Sequence, residues 1–286
     1  MKATFSIVLP AYKEENLNKL TNFLLKEKTE FNLEKIIIVA CGYSNELKFS
    51  NKRIEVIKER ERKGKASAIN LALEKISSDI IIVESSDTLP KKGSIEKLLK
   101  PFVSPEVGMT TGRPIPINSK ENFLGFFNHL VWLLHHLVSL DKPKVGEIMA
   151  FRKIIKEIPE KIATDESYLE SVFHKKGYKI VYVPDAVINN QGIENLWFLI
   201  KQRRRYFNGH LHIKKEYDYA VSTMSTKRIF MALIKYFEIK SIRNYREILW
   251  IFCAACLEAF ARILGTLDFY LFNKIPYKWE MIKERE

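Results

Sequence analysis

The sequence predicts an α/β fold: a mixed, mainly parallel sheet flanked by helices, with hydrophobic helices toward the C-terminus. Three observations carry this expectation. Short β-branched runs without polar alternation, such as "IIIVA" from Ile36 and "DIIIVE" from Asp79, suit strands buried on both faces. Stretches with helical spacing separate them, as in "GKASAINLALEKI". The segment from Leu249 to Phe272 is the most apolar in the chain.

Taken in order, "TFSIVLP" reads as a strand and "ENLNKLTNFLLKEK" as an amphipathic helix. "EKIIIVACG" and "RIEVIKE" are strands, "GKASAINLALEKI" a helix and "DIIIVE" the next strand, a layered α/β pattern. Ligands of such sheets lie beyond the carboxyl ends of the strands. Ser85, Ser86 and Asp87 of "ESSDT" fall there, although that motif alone equally describes a turn capped by Asp87.

"GMTTGRPIPI" reads as a strand running into a Pro-rich loop, and "ENFLGFFNHLVWLLHHLVSL" as a long helix. Asn128, His129, His135, His136 and Ser139 recur near helical spacing, which suggests an amphipathic helix lying on the sheet or on a membrane surface. After "KVGEIMAFRK" come a helix, "ATDESYLESVFHKKG", closed by Gly177, and a strand, "YKIVYVPDA". "ENLWFLIKQRRRYFNGHLHIKK" is helical, basic and aromatic. Glu258, Arg262 and Asp268 interrupt the apolar segment, so it lacks the roughly 18 clear apolar residues of a spanning helix. It reads as an in-plane membrane helix or interfacial hairpin, with a buried soluble helix as the rival.

At 286 residues the chain can bury a full core, and 47% hydrophobic with 28% charged residues excludes wholesale disorder. A net charge of +13 suits anionic company: nucleic acid, acidic lipid or phosphorylated small molecules. The "RRR" run lacks the surroundings of a base reader, so nucleic acid is not expected. No GxGxxG follows the first strand, which disfavours a dehydrogenase. Three cysteines exclude a disulfide scaffold, and Cys253 and Cys256 sit in an apolar helical stretch that suits packing or lipid contact. The polar segment after "FSIVLPAY" comes too early for a secretory leader.

Seven stretches in order, "VLPAYKEENL", "RKGKASAINLAL", "SSDT", "VGMTTGRP", "GEIMAFRK", "TDESYL" with "KKGYKIVYVPDA", and "QRRRY", resemble inverting family 2 glycosyltransferases of the GT-A fold. The membrane-associated cellulose- and hyaluronan-synthase type is the most similar. The resemblance implies a GT-A domain over 1–215 and a C-terminal helical, membrane-associating segment over 216–286. It also implies a nucleotide-diphosphate-sugar donor and a glycan or lipid-linked acceptor at the cytoplasmic face of the cell membrane, with Mg2+ or Mn2+ as cofactor.

Carried over by motif, Pro10, Ala11, Tyr12 and Glu14 border the nucleotide, and Lys65 faces its phosphates or ribose. Ala40 and Cys41 stand where the family commonly has two aspartates, so the usual base-reading carboxylate is missing. Ser85, Ser86 and Asp87 match the DxD motif, with Asp87 as metal ligand and Ser85 in place of the first acid. One carboxylate suits magnesium, which completes its shell with phosphate and water.

The general base falls at Glu166 by its spacing from Gly177 or at the neighbouring Asp165, the pair being inverted relative to the family's Glu-Asp. Thr164 with both acids equally describes a helix start. Gln202, Arg205 and Tyr206 match QxxRW, with Arg205 gripping the diphosphate, while Arg113 flanks the donor sugar. The missing acids also motivate an alternative, a catalytically degenerate module that only binds nucleotide-sugar.

Overall fold

The computed structural model describes residues 3–45, 47–240 and 244–278. The chain divides into two compact units. The first comprises Met1–Pro114, Val145–Glu160 and Val172–Asn190, and the second Ile115–Lys144, Lys161–Ser171 and Gln191–Glu286.

The first unit is built on strands β1 (Thr4–Tyr12), β2 (Asn32–Cys41), β3 (Ile54–Lys58), β4 (Ile80–Glu84), β5 (Thr88–Pro90), β6 (Val107–Pro116), β7 (Ile148–Arg152) and β8 (Lys179–Asn190). Their order in the sheet is β3-β2-β1-β4-β7-β6-β8-β5. β3, β2, β1 and β4 run parallel, and their uninterrupted apolar residues are buried on both faces: Ile36, Ile37, Ile38, Ile81 and Ile82 have no exposed surface. The antiparallel β7 pairs with β4, aligning Glu84 with Ile148.

Helices α1 (Leu17–Lys26), α2 (Lys65–Leu73) and α3 (Ser94–Leu99) accompany the sheet. Leu17, Leu20 and Leu24, one face of α1 by helical spacing, pack into the core cluster formed by the strands. β5, β7 and α3 have no counterpart in the sequence reading, whereas the other strands and α1 and α2 follow it.

The second unit is helical: α4 (Phe123–Asp141), α6 (Leu196–Tyr217), α7 (Thr226–Lys240) and α8 (Tyr245–Tyr270), together with the start of α5 (Asp165–Lys175). Its apolar cluster takes Phe127 and Leu130 from α4, Ala232 and Tyr236 from α7, and Ile251 and Ala254 from α8. Of the polar stripe on α4, Asn128, His135 and Ser139 are buried and His129 and His136 half-buried. Asn128 Nδ2 donates to the Leu124 and Ile193 carbonyls at 2.9 Å each, which offsets the cost of its burial.

The apolar C-terminal stretch forms one helix rather than a hairpin, and it pairs with α6. A Cβ on Gly265 would lie 2.7 Å from the Arg204 carbonyl oxygen, so the two backbones meet there without a spacer. Arg203 forks onto Glu258 at 2.7 and 3.0 Å, Arg262 adds a 2.9 Å bond to the same carboxylate, and Arg204 holds Asp268. By length and composition alone α4 and α8 could each cross a membrane, with mean hydropathy 1.4 and 1.9 over their most apolar windows.

Candidate active site

The carboxyl ends of β1, β2 and β4 come together because these strands are parallel neighbours, and the motifs of the first unit are gathered along that edge. At the end of β1, the Tyr12 ring lies under the Arg62 guanidinium at 4.5 Å, with Lys13 Nζ at 5.7 Å. Gly42 has φ +78, and a Cβ there would stand 2.8 Å from Tyr12 Cε2, so a glycine is required for the ring to sit where it does. Tyr43 Oη accepts from the Glu14 amide at 2.7 Å and donates to the Glu14 carbonyl at 3.1 Å, pinning the "YKE" turn. Burial pushes the Tyr43 phenol up to about 12, which keeps that donor protonated.

Cys41, at one of the two missing-aspartate positions, is buried. Burial and the nearby Glu59 raise its thiol, and Arg62 opposes them only in part. A neutral thiol therefore occupies this position in place of a carboxylate. Lys65 is the first residue of α2, preceded by Gly64 at φ 113.

Between β4 and β5 the chain turns through Ser85, Ser86 and Asp87. The Thr88 amide returns to the Ser85 carbonyl at 3.1 Å, and the Thr88 hydroxyl lies 2.7 Å from the same oxygen. This tight turn leaves Asp87 exposed and Ser86 buried. Ser85 Oγ donates to Glu147 Oε2 at 3.1 Å, bringing a carboxylate from the segment before β7 against the position of the absent first acid. The sequence reading missed Glu147. The signal was the acid in "GEIMAFRK", but its meaning depends on the β4–β7 register.

Ser85 and Glu147, with Asp87 two residues along the same turn, are oxygen donors of the kind that Mg2+ or Mn2+ takes, with phosphate and water completing the shell. Among the described residues no three His, Cys, Asp or Glu side chains gather into a metal cage. The Glu84 carboxyl is fully buried on β4, beside Thr88 Oγ1 at 3.2 Å, and its Oε2 has no hydrogen-bond partner among the described residues. Burial holds its pKa well above the usual carboxylate range, a shift that Thr88 opposes and the Asp87 charge reinforces. Arg113 on β6 approaches the Tyr182 phenol closely enough to temper the upward shift caused by that ring's burial.

In the second unit Asp165 opens α5 and is buried, with Glu166 next to it partly exposed. Thr164, expected as the cap, is buried with no hydrogen-bond partner for its Oγ1 among the described residues, so the hydroxyl makes no capping bond. Its methyl instead packs on Gly209 of α6, where a Cβ would come within 2.8 Å.

α6 carries Gln202, Arg205 and Tyr206. Arg203 and Arg204 are bound to α8, whereas Arg205 Nε donates to the Pro276 carbonyl at 2.9 Å and its guanidinium lies 5.8 Å from the Tyr206 ring centre. His210, about four turns into the same helix, is held well below its ordinary pKa by burial and then by Lys144, Arg203 and Arg262. The structure thus adds Arg62 to Tyr12 and Glu147 to Ser85, neither of them singled out in the sequence, while Asp165 and Glu166 stand together at the start of α5.

A mixed sheet with a hydroxyl- and carboxylate-bearing turn at its carboxyl edge defines a glycosyltransferase of the GT-A type. The chain belongs to glycosyl transferase family 2, whose model matches residues 6–176. It is 24% identical over 270 residues to a poly-beta-1,6-N-acetyl-D-glucosamine synthase of Staphylococcus aureus, a match covering 86% of this chain and 62% of that protein. The chain therefore spans less than two thirds of the length of that relative.

Among solved structures, the mannosyltransferase PcManGT from Pyrobaculum calidifontis, in complex with GDP-Man and Mn2+, has a TM-score of 0.62 at 15% identity. That match covers 96% of this chain and 89% of that one. S. aureus TarS has a TM-score of 0.51 at 14% identity, covering 82% and 43%. These two likenesses establish the fold.

Proposed function

We propose that the protein transfers a sugar, with inversion, from a nucleotide-diphosphate-sugar to a polysaccharide or lipid-linked acceptor at the cytoplasmic face of the cell membrane. The observation that carries the reading is the Ser85–Asp87 turn with Glu147 against it. In this reading Tyr12 and Arg62 hold the nucleobase, with Pro10, Ala11 and Glu14 shaping the same turn. Lys65 meets the phosphates or ribose, Arg113 flanks the donor sugar, and Ser86 supports the turn from inside. A divalent cation held by Asp87, with Glu147 as a second carboxylate, would neutralise the diphosphate. Asp165 or Glu166 takes the proton of the acceptor hydroxyl as its oxygen attacks the anomeric carbon, a role that typically supplies about 100- to 10,000-fold. Arg205 steadies the charge growing on the leaving diphosphate, with Gln202 and Tyr206 beside the acceptor.

The fold of the Pyrobaculum neighbour and the ligands in its complex support a donor of this class. The Staphylococcus relative supports a glycan acceptor. The test is turnover of a panel of nucleotide-sugars with Mg2+ and Mn2+, followed by NMR assignment of the product anomer. Neither binding nor turnover of any donor, or a retained anomer, would overturn the reading.

A further inference from the structure

α8 is built the reverse way round from a helix of a water-soluble domain. Its interior acids, Glu258 and Asp268, face α6 and are matched there by Arg203 and Arg204, and its own Arg262 folds onto Glu258. Its outward positions hold Ile248, Phe252, Phe260, Ile263 and Leu267, all exposed, and no exposed position from Ile248 to Tyr270 is charged. A 26-residue helix is about 39 Å long, so this apolar row far exceeds the scattered hydrophobics of an ordinary surface.

Pairing with α6 decides how such a helix can meet lipid. α6 carries Lys201, Gln202, Arg205, Lys214 and Lys215 besides the two arginines that bind α8. A spanning α8 would draw that charge into hydrocarbon, which is costly, whereas a helix lying flat immerses one face and leaves α6 at the headgroups. The charges at the ends of α8 match an anionic surface: Arg246 is exposed at one end, and Lys274 and Lys278 are exposed just beyond the other. Tyr245 and Tyr270 stand exposed at the two ends, where amphipathic rings favour the headgroup level. A second copy of the chain, also at +13, would bring like charge to the same rim.

We propose that the outward face of α8 docks in the plane of an anionic lipid bilayer without crossing it. The inference rests on the membrane-surface part of the proposed function and on none of its chemistry.

The protein carries its own probes. Cys253 and Cys256 are exposed on α8, while Cys41 is buried, so a maleimide dye sensitive to polarity reports on this face. Vesicles of phosphatidylcholine with phosphatidylglycerol are expected to blue-shift the dye, and phosphatidylcholine alone to do so weakly. Salt should weaken the response, and lipids brominated near the headgroup should quench more than lipids brominated at the chain ends. Stronger quenching from the chain ends would overturn in-plane docking in favour of spanning. A blue shift that follows protein concentration without lipid would replace the membrane by a second copy.

Phe252→Glu with Phe260→Glu should weaken co-sedimentation with the anionic vesicles by about tenfold or more, while donor turnover in detergent-free buffer stays unchanged. Should the double variant fail to fold, Ile263→Asp alone is expected to act in the same direction. No vesicle response with donor turnover intact would sink the docking and leave the glycosyl-transfer reading standing. A vesicle response without turnover would do the reverse.

Discussion

Ser85 Oγ donates to Glu147 Oε2 at 3.1 Å, so a hydroxyl on one strand end and a carboxylate before the antiparallel neighbour together fill the place of one aspartate. Glu147→Gln is therefore expected to weaken Mn2+ binding, read by electron paramagnetic resonance with nucleotide diphosphate present, by about tenfold. Ser85→Asp placed in the Glu147→Gln background should restore it. Asp87→Asn should abolish the bound signal, and chelation should stop donor turnover in the unmodified protein. If Glu147→Gln left the Mn2+ signal unchanged, Glu147 would have no part in the cation site.

The two acids at the start of α5 differ in setting, Asp165 being buried and Glu166 half-exposed. Only the true base should lower kcat by about 100- to 10,000-fold as its amide, with KM for the donor nearly constant. Asp165→Asn and Glu166→Gln, assayed side by side, assign the role. Equal small effects from both would place the base elsewhere.

Arg62 lies over the Tyr12 ring, and a base held by that pair would lose both stacking surface and a hydrogen-bond donor on truncation. Arg62→Ala is expected to raise the dissociation constant of the preferred nucleoside diphosphate about 5- to 30-fold, while inorganic diphosphate binds as before. Calorimetry with both ligands makes the comparison. A parallel loss for both would place Arg62 at the phosphates instead.

Acid should unfold the protein in two stages, both of the same sign. The folded-state pKa of His210 lies well below 6.5, so its neutral form favours folding above that value and the advantage is lost as pH falls below it. Burial works to raise the Glu258 carboxyl, but Arg203 and Arg262 overcome it and bring it from 4.5 down to about 2, so its contribution is lost between those values. His210→Gln should flatten the melting temperature against pH near the first step and leave the second.

Glu84 has the opposite sign. Burial raises its carboxyl well above the ordinary carboxylate range, so the unfolded chain ionises first as pH rises above 4.5 and folding stability falls. Glu84→Gln should raise stability at neutral pH by about 1–2 kcal/mol and reduce the slope of the melting temperature above pH 5, measured by calorimetry.

The parallel half of the sheet was legible because strands buried on both faces carry unbroken apolar runs. β7 was not: five residues after a glycine give no alternation, and its pairing with β4 is what gives Glu147 its position. α7 escaped because apolar residues occur all round it, Ala232 and Tyr236 buried while Phe230, Met231, Ile234 and Phe237 are exposed. The stripe on α4 was recognised but not its burial, since periodicity shows that polar residues share a face and not whether buried partners await them. The "RRR" run hid a division of labour, because the partners of Arg203 and Arg204 lie on α8, far along the chain.

The bare α-carbon of Gly265 fixes more than a close approach of two backbones. With no side chain to stand off the Arg204 carbonyl, α6 and α8 meet backbone to backbone there, and Arg204 grips Asp268 beside it. The direction of Arg205, one residue further along, is thereby tied to α8. A methyl group added at Gly265 would press on the α6 backbone, so the two helices would have to part and carry Arg205 with them.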